Sequence, residues 1–162
     1  MRGARVLVLA LVVAVTLVLC PSAEAASGRF RPKKEHDAKV MAGYRKEILR
    51  LINRERTGRG LSPLRATKCA NRFARGLADQ MDRENSFHHS DLGDLIRRCG
   101  YGSVGENIVY GVRSARQAVD AWMNSSGHRA NILTAEFRLS GIGLVYDDSR
   151  HAWIVVQDFG RR

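Results

Sequence analysis

The sequence predicts an α+β fold in which helices cover a small β-sheet, and three observations predict it. Apolar residues recur every three or four positions in three separate segments. Two β-rich stretches, "GIGLVYDD" and "HAWIVVQDFG", lie near the C-terminal end, their apolar parts separated by about four polar residues, 147–150. Glycine, proline and helix-capping residues punctuate the chain between these segments. Three or four helices with terminal strands give an α+β or layered α-β-α arrangement.

The first helix is expected from His36, with Val40, Tyr44, Ile48, Leu51 and Ile52 on one stripe and Gly58 and Gly60 ending it. "LSPL" is an extended link, because Pro63 disfavours helix at Ser62. A second helix is expected from about Ala66 to Asp82. Cys69, Phe73, Leu77 and Met81 form its stripe, and Ala70, Ala74 and Ala78 permit a close approach to another element. A short third helix in "SDLGDLIRRCGYG" turns Leu92, Leu95, Ile96 and Cys99 inward and stops at Gly100. "ENIVYG" is a brief strand. Ser114 caps the next helix, and Gln117 completes a capping box. That helix carries Ala118, Val119, Trp122 and Met123, and "SSGHR" ends it. The two β-rich stretches form a hairpin.

Residues 1–25 read as a secretory signal peptide: Arg2 and Arg5, an apolar run from Val6 to Leu19, then Ala23-Glu24-Ala25 before the cut. The run has 14 residues, short of the roughly 20 a spanning helix needs. An uncleaved anchor is the alternative. Residues 26–34 are a flexible basic lead-in, and 35–162 form the domain. Cleavage near Ala25 removes Arg2, Arg5 and Glu24, leaving 25 basic and 15 acidic residues. Such a surface attracts anions: cell-wall polymers or lipid headgroups. The arginines are dispersed without interleaved aromatics, which argues against specific nucleic-acid recognition. A monomer is expected. Cys69 and Cys99 then remain, most simply as a disulfide, with two buried free thiols as the alternative. Closing that loop contributes roughly 3 kcal/mol in the chain-entropy model.

The motifs "FHHSD", "GENIVYG", "AVDAWMNSSGHRANIL", "GIGLVY" and "WIVVQDFG" follow one another in order between about Ile48 and Gly160. Together they resemble the CAP superfamily (cysteine-rich secretory, antigen 5 and pathogenesis-related 1 proteins, or SCP domain), in its short secreted bacterial form. The resemblance implies a three-layer α-β-α sandwich with a cleft lined by two histidines and two acidic residues, which in some members hold a divalent metal such as zinc. Carried over by position, the cleft residues are His89, Glu106 and His128, as metal ligands or catalytic groups. His88 replaces the usual serine and is expected to point away. The fourth position, three residues after Trp122, is Ser125, so one carboxylate is missing.

Residue chemistry is compatible with this. Imidazoles suit zinc-like ions, and a carboxylate adds charge compensation. Taken without the resemblance, each histidine reads as a surface or hydrogen-bonded residue. Two histidines and one glutamate suit a weak or catalytic-type site, not a closed structural one. Ser125 and Ser126 near His128 lack a nucleophile elbow and read as helix-end residues. Trp122 and Trp153 read as core, His36 and His151 as solvent-side, Arg129 as a loop brace, and Asn107 as a support for Glu106 or the turn. Gln157 is expected to turn its amide towards the cleft. The leading expectation is an extracellular or cell-envelope binding module with weak cation affinity. The alternative is a metal-assisted hydrolase, peptidase-like or acting on wall polymers, in which His89 and His128 hold a cation and Glu106 is ligand or general base. Lipid or sterol carriage is a weaker third.

Overall fold

The computed structural model describes residues 38–162. The expected signal peptide, the lead-in and His36 lie outside the described residues. The elements are α1 (Ala38–Thr57), β1 (Arg65–Ala66), α2 (Lys68–Glu84), α3 (Leu92–Cys99), β2 (Ser103–Val112), α4 (Ala115–Asn124), α5 (Ser126–Leu133), β3 (Leu139–Asp147) and β4 (Ala152–Arg161). The strands form one sheet in the order β1-β3-β4-β2. β3 and β4 are the expected antiparallel hairpin, and β2 adds to the far side of β4, also antiparallel.

Helices cover both faces of the sheet. On one face, α1, α4 and α5 bury Ile48, Ile52, Trp122 and Ile132 against Ile142, Leu144, Trp153, Val155 and Phe159. On the other, α2 packs Ala74, Leu77, Ala78 and Met81 on Ile108, Ile154 and Val156. β4 is therefore buried on both sides, with alternate residues serving opposite faces. The alanines of α2 meet glycines. A methyl on Gly141 would sit 2.1 Å from the backbone of Ala70, and one on Gly143 would sit 2.1 Å from that of Ala74. Only the absence of a side chain lets helix and strand come this close.

Local chemistry sets the ends of the elements. Thr67 caps α2 by accepting from the Ala70 amide at 3.1 Å. Asp91 caps α3 by accepting from Gly93 at 2.8 Å, and left-handed Gly100 ends it at φ 63°. Ser114 caps α4, accepting from Gln117 at 3.1 Å. The return bond of the expected capping box goes one residue further back, from the Arg113 amide to Gln117 Oε1. Cys69 and Cys99 are joined, tying α2 to α3.

Several expectations are corrected. Val40 is 50% exposed, and Met41 takes the inward position instead. Ile96 is 40% exposed, leaving Leu95 as the buried residue of α3. The expected brief strand runs ten residues, with a bulge between Tyr110 and Val112. "SSGHR" does not close the helical region: extended backbone at Ser125 breaks α4, and α5 starts at Ser126. Among the described residues, no helix is long and apolar enough to cross a membrane.

Candidate functional site

The site forms where β2 and β4 meet the loop between α2 and α3. Glu106 on β2 and Asp158 on β4 are directly opposed across the antiparallel pair, so both side chains point to the α2 face. The Glu106 side chain is only 1% exposed, whereas that of His89 is 59% exposed. His89 Nδ1 lies 2.6 Å from Glu106 Oε1, and the Ser90 amide donates to the same oxygen at 3.0 Å. A carboxylate accepts, so Nδ1 carries the proton and Nε2 is left as the unprotonated nitrogen of an exposed ring. Bonding to a buried carboxylate fixes the ring's orientation and tautomer.

His128 comes from α5, which runs beside the outer edge of β2. Asn131 Nδ2 donates to the Glu106 carbonyl and to Asn107 Oδ1, both at 3.0 Å. Asn107 Nδ2 donates in turn to the His128 carbonyl at 3.1 Å. These amides hold the start of α5 against the strand. Burial, and then the neighbouring His89, depress the His128 pKa below its ordinary value and favour the neutral ring. His89 and Glu106 are in contact, whereas His128 is tied to the site through its backbone carbonyl. Ser125 sits at the α4–α5 break with no side-chain capping bond. Arg129 braces that break, as expected, through Met123 O at 2.9 Å.

Asp158 is fully buried, and neither of its carboxyl oxygens has a hydrogen-bond partner among the described residues. Glu106 Oε2 and Ser90 Oγ are buried and unpartnered beside it in the same sense. Burial first, and then the charge of Glu106, push the Asp158 carboxyl well above the usual carboxylate range. The sequence reading missed Asp158, Asn131 and Arg56. Arg56 is fully buried and donates to four carbonyls: Ser62, Ile132, Thr134 and Phe137. The only sequence signal for Asp158 was a charge inside an otherwise apolar strand.

Gln157 does not reach this site. It lies one residue from Asp158 and so faces the α1/α4 side, where its amide donates to Ser140 Oγ at 3.2 Å. His88 does not turn fully away either. Its ring lies 3.4 Å from Glu84 Oε2, and both His88 and His89 border a hollow of about 440 Å³ along α2. Glu106 is not part of the hollow's lining; it backs His89 from beneath.

The fit to a resident metal is poor. Among the described residues, no three His, Cys, Asp or Glu side chains converge on one point. One oxygen of Glu106 is already engaged by His89 and Ser90.

Residues 49–159 match the cysteine-rich secretory protein family, CAP. The chain is 35% identical over 116 residues to the protein YkwD of Bacillus subtilis, covering 67% of this chain and 45% of that one. It is 32% identical over 124 residues to the membrane protein YlbC of the same organism, covering 70% of this chain and 36% of that one. The chain therefore spans less than half the length of these curated relatives. An extracellular SCP-domain protein of Bacillus anthracis superposes with a TM-score of 0.67 at 30% identity, over 75% of this chain and 41% of that one. An outer surface protein of Borrelia burgdorferi shares the fold, with a TM-score of 0.64 at 20% identity, over 77% of this chain and 94% of that one. Order of motifs, sandwich architecture and family match agree: the chain belongs to the cysteine-rich secretory protein (CAP) family.

Proposed function

We propose that the protein is exported and works outside the cytoplasm as a binding module, using the face around His89 and a positive surface to engage anionic components of the cell envelope. The observation that carries this reading is the His89–Glu106 contact at 2.6 Å. It fixes an exposed ring whose second nitrogen is left to accept a hydrogen bond, which suits recognition. The charge balance of 27 basic against 16 acidic residues supports the anionic partner. Extracellular relatives support the compartment. With no third ligand converging on the imidazoles among the described residues, a divalent cation such as zinc would be held weakly and exchangeably. Hydrolysis gains no specific support from this arrangement.

Co-sedimentation with isolated cell wall and with anionic lipid vesicles, across a salt titration, tests the reading. Binding at low salt that weakens steadily as salt rises is expected. No binding to either surface at low salt overturns it. Zinc calorimetry tests the cation: weak binding is expected, lost in both His89→Ala and His128→Ala.

A further inference from the structure

The hollow beside His89 is built from two walls. α2 supplies Arg72, Phe73, Gly76 and Leu77; the loop after it and α3 supply His88, His89 and Arg98. A methyl on Gly76 would meet nothing within 4 Å, so the missing side chain there is open space within the hollow. The hollow extends along α2 from Arg72 to Gln80. Eight residues at the helical rise make this about 12 Å, the span of three to four residues of extended chain.

Its two ends differ. Arg72 follows Cys69 by three positions and Arg98 precedes Cys99 by one, so the disulfide gathers two guanidinium groups at one end. Arg98 is engaged by Asp94 at 3.7 Å. Arg72 pairs with no acid among the described residues, although the same hollow also contains Asp91 and Asp94. The middle has an apolar floor of Phe73 and Leu77. The other end offers hydrogen-bonding groups in Gln80 and the two histidines.

We infer that this hollow binds a short extended peptide by its free C-terminal carboxylate, with the carboxylate on Arg72 and an apolar side chain over Gly76. A carboxylate matches the unpaired guanidinium. An alkyl side chain matches the floor, and the backbone matches the far-end polar groups. A neutral glycan would leave the Arg72 cation unanswered. The inference deepens the proposed binding role and rests on it in one respect: the face around His89 is the recognition face.

The test uses the ¹⁵N-labelled protein and two probes, acetyl-Leu-Ala-Leu-Ala as the free acid and as the C-terminal amide. The free acid should shift the amide signals of residues 72–80 and 88–91 and saturate at millimolar concentration. Amidation should weaken binding at least five-fold. Arg72→Gln should make acid and amide bind alike, and Gly76→Leu should abolish binding of both while the dispersed amide spectrum of the folded protein is retained. Equal binding of acid and amide by the unaltered protein overturns the inference, as do undiminished binding by Gly76→Leu, or no saturable shifts at these positions. Tighter binding of an N-acetylglucosamine tetramer to the same amides reassigns the hollow to glycan and overturns it too. A protein that sediments with anionic surfaces but ignores the peptide loses this inference alone; one that does neither loses both readings.

Discussion

The two faces of the sheet are packed on opposite principles. Towards α1 and α4 the space is filled by large side chains, with Trp122, Trp153, Phe159, Ile48 and Ile52 meeting in one cluster. Towards α2, beside the cluster of Leu77, Met81, Ile108, Ile154 and Val156, there is no space to fill over β3, because Ala70 and Ala74 lie directly on Gly141 and Gly143. The first face gains stability from volume and apolar area. The second adds backbone proximity, and at Gly141 and Gly143 it tolerates no added atom. The polar site sits on the second. Asp158 lies opposite Gly141 in the hairpin and opposite Glu106 in the outer pair. The site's acids therefore share the face where helix and sheet approach most closely, and water is shut out from the side away from His89.

This contrast can be broken most strongly with volume changes. Trp122→Ala should cost about 3–5 kcal/mol, as expected for a fully buried indole replaced by a cavity. Gly143→Ala should cost about 3 kcal/mol, the upper end for overpacking, because the new methyl meets backbone and not a flexible side chain. Urea denaturation measures both. One methyl added on the α2 face should thus approach the cost of a whole indole removed on the other. A Gly143→Ala loss below about 1 kcal/mol would mean that α2 can lift freely, and the proposed difference between the faces would fail.

The same contrast explains what the sequence made legible. Helical stripes in α2 and α4 could be read because each helix has one buried side, which leaves a period in the residues, and Ser114 marked the start of α4. The approach of α2 to the sheet was legible in its alanines. Val40 and Ile96 misled, because an apolar residue at the right spacing can still lie at the margin of the stripe. The start of α5 was hidden by Gly127, which reads as a breaker but lies in the helix's first turn. β1 is two residues long and exists only through its parallel partner β3. In β4 the alternation of apolar and polar residues vanishes because both faces are covered, so nothing local marked Gln157 and Asp158 as facing opposite ways. The His89–Glu106 contact and the anchoring of the His128 backbone depend on hydrogen bonds across 17 and 21 residues, from Glu106 to His89 and from Asn107 to the His128 carbonyl. The family resemblance supplied those positions; spacing alone did not.

A pH series sharpens the comparison at intermediate cost. The Asp158 carboxyl is raised in the folded chain and sits near its ordinary value of 3.8 once unfolded. Above that value the unfolded chain releases a proton that the folded chain keeps, so stability contributed here falls as pH rises. His128 acts in the opposite sense: its lowered pKa costs stability as pH falls through and below its ordinary value of 6.5. Asp158→Asn removes the first effect and leaves the second. Urea midpoints measured from about pH 4 to pH 7 should therefore show the variant gaining on the parent steadily with pH. A constant offset would mean that Asp158 is ionised in the folded chain.

The smallest expected effects compare one glycine on each side. Gly43 lies within α1 and Gly76 within α2, and a methyl on either meets nothing within 4 Å. Replacing each by alanine should raise stability by about 0.5–1 kcal/mol, through helix propensity alone. The thermal midpoints of the two variants should rise together, since neither site feels the packing of the sheet face beneath it. Their longer counterparts should then separate. Gly43→Leu borders no part of the hollow and should leave tetrapeptide binding intact, while Gly76→Leu projects into it. Equal loss of peptide binding in both leucine variants would show that the readout follows helix stability and not the open space above Gly76.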